Sequence, residues 1–136
     1  MKLIKRIFLS ILSIVLLATL LIFIFRTPDI PLANLLPLYT NPSSQFYQTQ
    51  GMKIHYRDEG PKTDKLPLVL LHGTGSSLHT WDSLVAKLPE KRIIRLDLPG
   101  FGLTGPHPLR NYTPENTAKI IDDLLQYVGA DSCIIA

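Results

Sequence analysis

The sequence predicts an α/β fold in which a β-hairpin is followed by a parallel β-α-β-α-β arrangement, all preceded by one transmembrane helix. Three observations predict it. Residues 7–25 form an uncharged, almost wholly apolar run. Residues 66–71 and 92–98 are largely apolar segments, as expected of strands that are buried on both faces. Apolar residues recur at helical spacing after each of these segments, and alternating strands and helices form parallel sheets with right-handed crossovers.

Length and charge limit the possible functions. Removing the first 26 of the 136 residues leaves about 110 for a folded part, enough for one small domain. Four of the 14 basic residues lie in the removed stretch, so 10 basic residues remain against 11 acidic ones. A nucleic-acid-binding domain needs a basic surface on its folded part, so we predict no nucleic-acid partner. The single cysteine, Cys133, excludes a disulfide framework and a cysteine-rich zinc site, and we predict no metal and no cofactor.

The amino-terminal segment 1–27 is predicted to be a membrane anchor. The run over residues 7–25 would rise roughly 28 Å as a helix, close to the hydrocarbon thickness of a bilayer. It ends Phe25-Arg26-Thr27, without the small residues of a signal-peptide cleavage site, which favours an uncleaved anchor over a cleaved signal or a buried core helix. Three basic residues precede the run and one follows it. We therefore expect a single pass with a cytoplasmic amino terminus and an extracytoplasmic folded part.

Residues 28–44 are predicted to be a spacer between this anchor and the folded part. Four prolines, Pro28, Pro31, Pro37 and Pro42, interrupt the segment. Each proline removes a backbone donor and disfavours helix in the residue before it.

The folded part is predicted to span residues 45–136 and to begin with the hairpin, whose strands carry residues 45–48 and 53–57. The first parallel strand is followed by a helix over residues 78–88, capped by Ser76 or Ser77.

A second helix follows the next strand. Thr113 is its predicted N-cap, Pro114 its first residue and Gly129 its carboxyl-terminal stop. A third apolar strand begins at Cys133, which we expect to be an inert thiol in a buried strand.

Two glycine-rich turns follow the parallel strands and are candidates for chemistry. The first reads His72-Gly73-Thr74-Gly75, and the second runs from Asp97 through Phe101. Glycines let the backbone turn sharply and present N–H groups to a developing negative charge, although each turn by itself is also compatible with a purely structural role. The endings required for a phosphate-binding P-loop or a dinucleotide-binding loop are absent.

The two turns in this order, with a Trp-containing helix between them, resemble the α/β-hydrolase family, most closely a membrane-anchored bacterial hydrolase. The resemblance implies an oxyanion-hole segment of His72, Gly73 and Thr74, in which the Thr74 backbone N–H is the donor and His72 is a structural turn residue. It also implies that Gly75 and Phe101 line the substrate pocket. Gly75 stands where epoxide and haloalkane hydrolases commonly carry proline, which favours a small-molecule ester substrate.

The catalytic residues that this resemblance implies are missing. The family nucleophile lies on a Gly-x-Ser-x-Gly elbow after the strand that begins here at Cys133, and the sequence has no such elbow. No serine or histidine is placed to substitute for it, and His55, His79 and His107 are expected at the surface or in turns.

We therefore expect an inactive amino-terminal portion of a serine-type, membrane-anchored hydrolase. The alternatives are a non-catalytic truncated remnant and a small membrane-anchored binding module.

Overall fold

The computed structural model describes residues 2–136, which fall into two units, one ending at Pro31 and one spanning Leu32–Ala136. The first unit contains helix α1, Lys2–Ile24, whose side chains are all exposed and whose length and composition suffice to cross a membrane. The hydroxyls of Ser13 and Thr19 donate to the carbonyls four residues earlier, at 2.9 and 2.8 Å, so both are paired within the apolar helix.

The second unit begins with a helix that the spacer prediction did not include. Helix α2 spans Leu32–Tyr39 and contains Pro37. Its last carbonyl, on Tyr39, accepts hydrogen bonds from Arg57 Nη2 at 3.0 Å and His79 Nε2 at 3.1 Å. Both donors lie far away along the chain, so nothing in the local sequence indicates that this helix end is satisfied. The prolines by themselves predicted an irregular segment here.

The sheet has five strands in the order β1-β2-β4-β3-β5. Strands β1 and β2 form the predicted antiparallel hairpin, and β2 continues antiparallel onto β4. Strand β3 is parallel to both β4 and β5. The fold class predicted from the sequence is therefore confirmed, with bounds β1 Ser44–Thr49, β2 Met52–Glu59, β3 Leu68–Leu71, β4 Ile93–Leu96 and β5 Ile134–Ile135.

The helix after β3 is shorter than predicted. It consists of a 3₁₀ turn, Leu78–Trp81, followed by α3, Asp82–Val85. Ser77 occupies the cap position but makes no side-chain capping bond; Asp97 Oδ1 instead accepts the Leu78 N–H at 2.8 Å. The cap is therefore supplied by the turn after β4 rather than by a neighbouring serine.

The last helix, α4, spans Pro114–Tyr127 and begins and ends as predicted. Thr113 Oγ1 accepts the Asn116 N–H at 3.3 Å, and Gly129 is left-handed with φ +66°. The buried face of α4 packs on the sheet, and the core that they form contains Ile54, Tyr56, Val69, Ile94, Leu96, Ile120, Ile121, Leu124 and Leu125.

Strand β5 departs from the prediction of a buried strand. Ile134 and Ile135 are 48% and 58% exposed, and Cys133 is only partly buried. Within residues 2–136, β5 pairs with β3 alone, so it is an edge strand with neighbouring side chains on one side only.

Candidate functional site

The two glycine-rich turns lie side by side at one edge of the sheet. Strands β3 and β4 are parallel neighbours, with Leu71 opposite Leu96 at their carboxyl ends. The next residues, His72 and Asp97, therefore start their turns at the same level. This edge is where open α/β sheets place their ligands.

His72 joins the first turn to the second. It is buried, and its Nε2 accepts the Leu98 N–H at 3.0 Å, while Nδ1 lies 2.9 Å from the Gly73 carbonyl. A neutral ring protonated on Nδ1 satisfies both contacts. The ring also meets Phe101 edge-on, with centroids 5.5 Å apart. Both ring nitrogens are occupied, so the geometry fits a positioning role for His72 rather than that of a base.

The segment Gly73-Thr74-Gly75 is exposed and leaves backbone donors unused. Within the part of the chain that the structure describes, none of its three N–H groups donates to a protein acceptor. The turn is closed instead by the Ser76 N–H, which donates to the Gly73 carbonyl at 3.3 Å. A Cβ added at Gly73 or Gly75 would meet no atom within 4 Å, so open space adjoins the turn. Gly75 has φ +73°, which favours glycine whatever the space.

Asp97 holds the second turn together. The carboxylate is 1% exposed and accepts from Leu78 N–H at 2.8 Å, Leu103 N–H at 2.9 Å and His55 Nδ1 at 2.8 Å. Burial acts to raise the pKa of Asp97, but the hydrogen bonds from His55, Leu78 and Leu103 outweigh it and lower the pKa below its ordinary value. Asp97 is thus a buried carboxylate that orders the second turn.

His55 is the partner of Asp97, and the expectation that it lies at the surface or in a turn is wrong. It is fully buried in β2, and its Nε2 lies 3.0 Å from Ser44 Oγ. Its backbone N–H donates to Thr104 Oγ1 at 3.0 Å, and that hydroxyl donates to the Asp97 carbonyl at 2.6 Å. Residues 54–57 of β2 are buried one after another, so side chains on both faces of this strand are covered. The alternation of the hairpin carried no signal for this pairing, because Asp97 is 42 residues away.

The other two histidines differ from each other. His107 is buried but begins a turn, so that the turn alternative of the expectation holds: its carbonyl accepts the Arg110 N–H at 2.9 Å. Its Nε2 pairs with Gln50 Oε1 at 2.9 Å, and its Nδ1 accepts the Leu109 N–H at 3.0 Å. His79 is partly exposed in the 3₁₀ turn, as expected. Its Nδ1 lies 3.0 Å from Asp82 Oδ2, and its Nε2 contacts a backbone carbonyl of α2. Neither ring presents a free nitrogen to a serine hydroxyl.

Arg95 interrupts the apolar run of β4 and is nevertheless buried. Its guanidinium pairs with Glu59, at 2.8 and 3.2 Å, and with Asp82 at 2.5 Å. It also donates to the Leu78 carbonyl at 3.1 Å. Burial opposes ionisation of Asp82, but hydrogen bonds from His79 and Arg95 lower its pKa overall. This ion group fixes the 3₁₀ turn beside the candidate site.

The structure places the two predicted pocket residues in different clefts. Gly75 lines an open cleft of about 520 Å³, together with Ser76, Ser77 and His79. Phe101 lines a separate cleft of about 340 Å³. Among residues 2–136, no group of three histidine, cysteine or acidic side chains is arranged to hold a metal ion.

The comparison with known proteins is decisive for the family. Residues 67–135, which include both turns, match the family model for the α/β hydrolase fold. The chain belongs to the α/β-hydrolase family. A haloalkane dehalogenase from Psychrobacter cryohalolentis is 37% identical over 115 residues, which cover 80% of this chain and 38% of the dehalogenase.

Two further relatives of this α/β-hydrolase chain differ in activity. A pimeloyl-[acyl-carrier protein] methyl ester esterase from Legionella pneumophila is 44% identical over 54 residues, covering 39% of this chain and 21% of the esterase. The Cif epoxide hydrolase from Acinetobacter nosocomialis superposes with a TM-score of 0.61 and 30% identity, over 79% of this chain and 37% of the other. The chain thus spans well under half the length of these relatives, and family membership alone does not define the substrate.

Proposed function

We propose that this chain is the amino-terminal part of a membrane-anchored, serine-type hydrolase of ester substrates, in which the Thr74 backbone N–H stabilises the oxyanion. The nucleophile, acid and base belong to sequence that the chain does not contain. Two facts support this division: the chain has no Gly-x-Ser-x-Gly elbow, and it spans 38% of the dehalogenase that it resembles.

The observation that carries the proposal is the unused Thr74 N–H at the carboxyl end of β3. His72 ties this turn to the second turn through the Leu98 N–H at 3.0 Å, so the donor stands on a fixed backbone. An oxyanion donor is effective when it is positioned before charge develops, because no reorganisation is then needed during the reaction. The open space next to Gly73 and Gly75 leaves room for a carbonyl group to approach.

The assignment of an ester substrate has two supports. Gly75 replaces the proline common in epoxide and haloalkane hydrolases, and an ester hydrolase is among the relatives. The dehalogenase and the epoxide hydrolase make haloalkanes and epoxides the competing substrate classes. A panel containing an aryl ester, a haloalkane and an epoxide therefore tests the substrate class directly.

The catalytic part is tested by joining the chain to its downstream coding sequence. We expect Thr74→Pro, which removes the donor, to lower kcat about 100- to 1000-fold. Thr74→Ala keeps the N–H and should cost little, so it is the matched control. The Trp81 emission spectrum reports whether each variant is folded. A folded Thr74→Pro enzyme with full activity would refute the oxyanion role, and aryl-ester turnover by residues 1–136 alone would refute the division of the catalytic residues.

The anchor is tested separately. In the proposal, residues 7–25 cross a bacterial inner membrane once, with the amino terminus in the cytoplasm. The chain should sediment with membranes at full mass and resist alkaline carbonate. A carboxyl-terminal reporter should be active only outside the cytoplasm. Recovery of a soluble product shortened by roughly 25 residues would show a cleaved signal instead.

A further inference from the structure

An apolar groove that does not include the first glycine-rich turn lies between α2 and the hairpin. This α2 groove has a volume of about 730 Å³, within the range of small-molecule sites. None of the residues His72 to Gly75 lines it. Its apolar walls come from both elements and from the second turn, and include Leu32, Leu36, Phe46, Met52 and Leu103.

The groove has a fixed wall because α2 is held at one end. The Tyr39 carbonyl accepts from Arg57 and His79, and the rings of Tyr39 and His79 meet at 5.7 Å. Leu32 and Leu36 lie one helical turn apart and line the groove together. Leu32 lies at the edge of the groove and is 48% exposed.

The groove helix α2 follows the candidate membrane span after a short link in the sequence. Eight residue steps separate the end of α1 at Ile24 from the start of α2 at Leu32, which limits their separation to about 29 Å. Apart from the Tyr39 hydroxyl at its end, helix α2 has only one polar side chain, Asn34, and Leu38 is 73% exposed. An exposed apolar helix next to a membrane anchor is suited to the bilayer interface.

The charge at the groove indicates the kind of lipid. Lys53 is exposed and lines the groove, and no acidic side chain does. A lysine near a membrane surface attracts anionic headgroups. From the volume, the apolar walls, the short link and this charge, we propose that the α2 groove binds one acyl chain of an anionic phospholipid of the bilayer, with Lys53 facing its phosphate. The proposal rests on the membrane attachment proposed above but not on the hydrolase activity.

Photocrosslinking in vesicles tests this proposal. The full chain is reconstituted in phosphatidylcholine vesicles that carry a trace of phosphatidylglycerol with a diazirine on one acyl chain, and labelled peptides are mapped by mass spectrometry. A parallel sample carries the same diazirine on phosphatidylcholine. We expect labels on α1 and on the groove segments around Phe46 and Met52. Labelling of α1 is the internal reference for membrane attachment.

Two pairs of variants make the result specific. Leu36 lines the groove and Leu38 does not, so Leu36→Asp should lower groove labelling about tenfold relative to Leu38→Asp, because a carboxylate in an apolar site is costly. Lys53→Glu should lower labelling by phosphatidylglycerol about fivefold and leave phosphatidylcholine labelling unchanged, whereas Lys65→Glu should change neither. The exposed position of Lys53 makes misfolding of that variant an inadequate explanation.

Each other outcome overturns a defined part of the reasoning. Absence of the α1 label would refute the proposed membrane attachment. A labelled α1 with an unlabelled groove would overturn the groove proposal alone, and chain-to-chain crosslinks at Phe46 or Met52 would show that a second copy covers it. Equal labelling by the two lipids in the unaltered chain would overturn the role of Lys53.

Discussion

Gly102 and Gly105 offer a matched pair that tests whether the buried Asp97 carboxylate holds the second turn. Both glycines have left-handed backbones, with φ +50° and +70°. A Cβ at Gly102 would lie 2.3 Å from Asp97 Cγ and Oδ2, whereas a Cβ at Gly105 would meet nothing within 4 Å. Gly102→Ala must therefore displace the carboxylate from His55 and from two backbone N–H groups, and Gly105→Ala need not.

The expected magnitudes follow from that difference. Each alanine carries the cost of a left-handed non-glycine residue, about 1–2 kcal/mol. Leaving the buried Asp97 carboxylate without its hydrogen-bond partners costs about 3–5 kcal/mol more, and only Gly102→Ala does so. We expect the free energy of unfolding to fall by about 4–7 kcal/mol for Gly102→Ala and by about 1–2 kcal/mol for Gly105→Ala.

The assay is urea unfolding of the full chain in mild detergent, followed by fluorescence of the single tryptophan, Trp81. This residue ends the 3₁₀ turn whose Leu78 N–H is bonded to Asp97, so it reports on the affected region. With a urea m-value of about 1–3 kcal/mol/M, the two variants should differ by one to several molar in midpoint, or Gly102→Ala should lack a folded baseline. Equal midpoints would refute the claim that the carboxylate holds the turn.

Three further predictions use the same urea-unfolding assay. Because the pKa of Asp97 is held below 3.8, its ionised form stabilises the fold at neutral pH, and that contribution is lost as the pH falls below this value. Asp97→Asn should therefore be less stable at pH 7, and its free energy of unfolding should fall less between about pH 5 and 2. A variant whose free energy of unfolding falls as steeply with acid as that of the unaltered chain would contradict this. Arg95→Lys should lower the free energy of unfolding by about 2–3 kcal/mol, since lysine cannot pair bidentately with Glu59. The same change at the exposed Arg110 should lower it by under about 0.5 kcal/mol. Similar losses in the two variants would refute the importance of the bidentate pair. Thr113→Ala should cost about 1 kcal/mol by removing the α4 cap, and an unchanged midpoint would show that the cap contributes nothing.

Much of the fold could be predicted because its signals are local. The parallel strands are short apolar runs, and α4 carries its own cap and its own glycine stop in the sequence. The adjacency of the two turns also followed from the sequence, since parallel neighbouring strands end at the same edge. These features depend on residues within one element or on a topological rule.

The site was less predictable because its contacts are remote. His55 and Asp97 are 42 residues apart, and the Tyr39 carbonyl is satisfied by side chains 18 and 40 residues away. The sequence pattern around His55 is that of a half-exposed hairpin, yet β2 lies inside the sheet. A histidine that is hydrogen-bonded to a buried carboxylate can be buried at a small cost in free energy. Nothing in the local sequence around either residue indicates that the two are paired.

The sequence by itself determined the apolar span, the hairpin, the parallel direction of the three later strands, the α4 boundaries and the glycine-rich turns that place the chain in the α/β-hydrolase family. Periodicity, capping and glycine conformational freedom act over a few residues, so they can be read without the fold. Only the tertiary structure decided that His55, Arg95 and Asp97 are buried and paired, that α2 forms in a proline-rich segment, and that a groove lies beside it. Burial, charge pairing and cavities depend on which distant segments meet, and that is settled by packing rather than by local propensity.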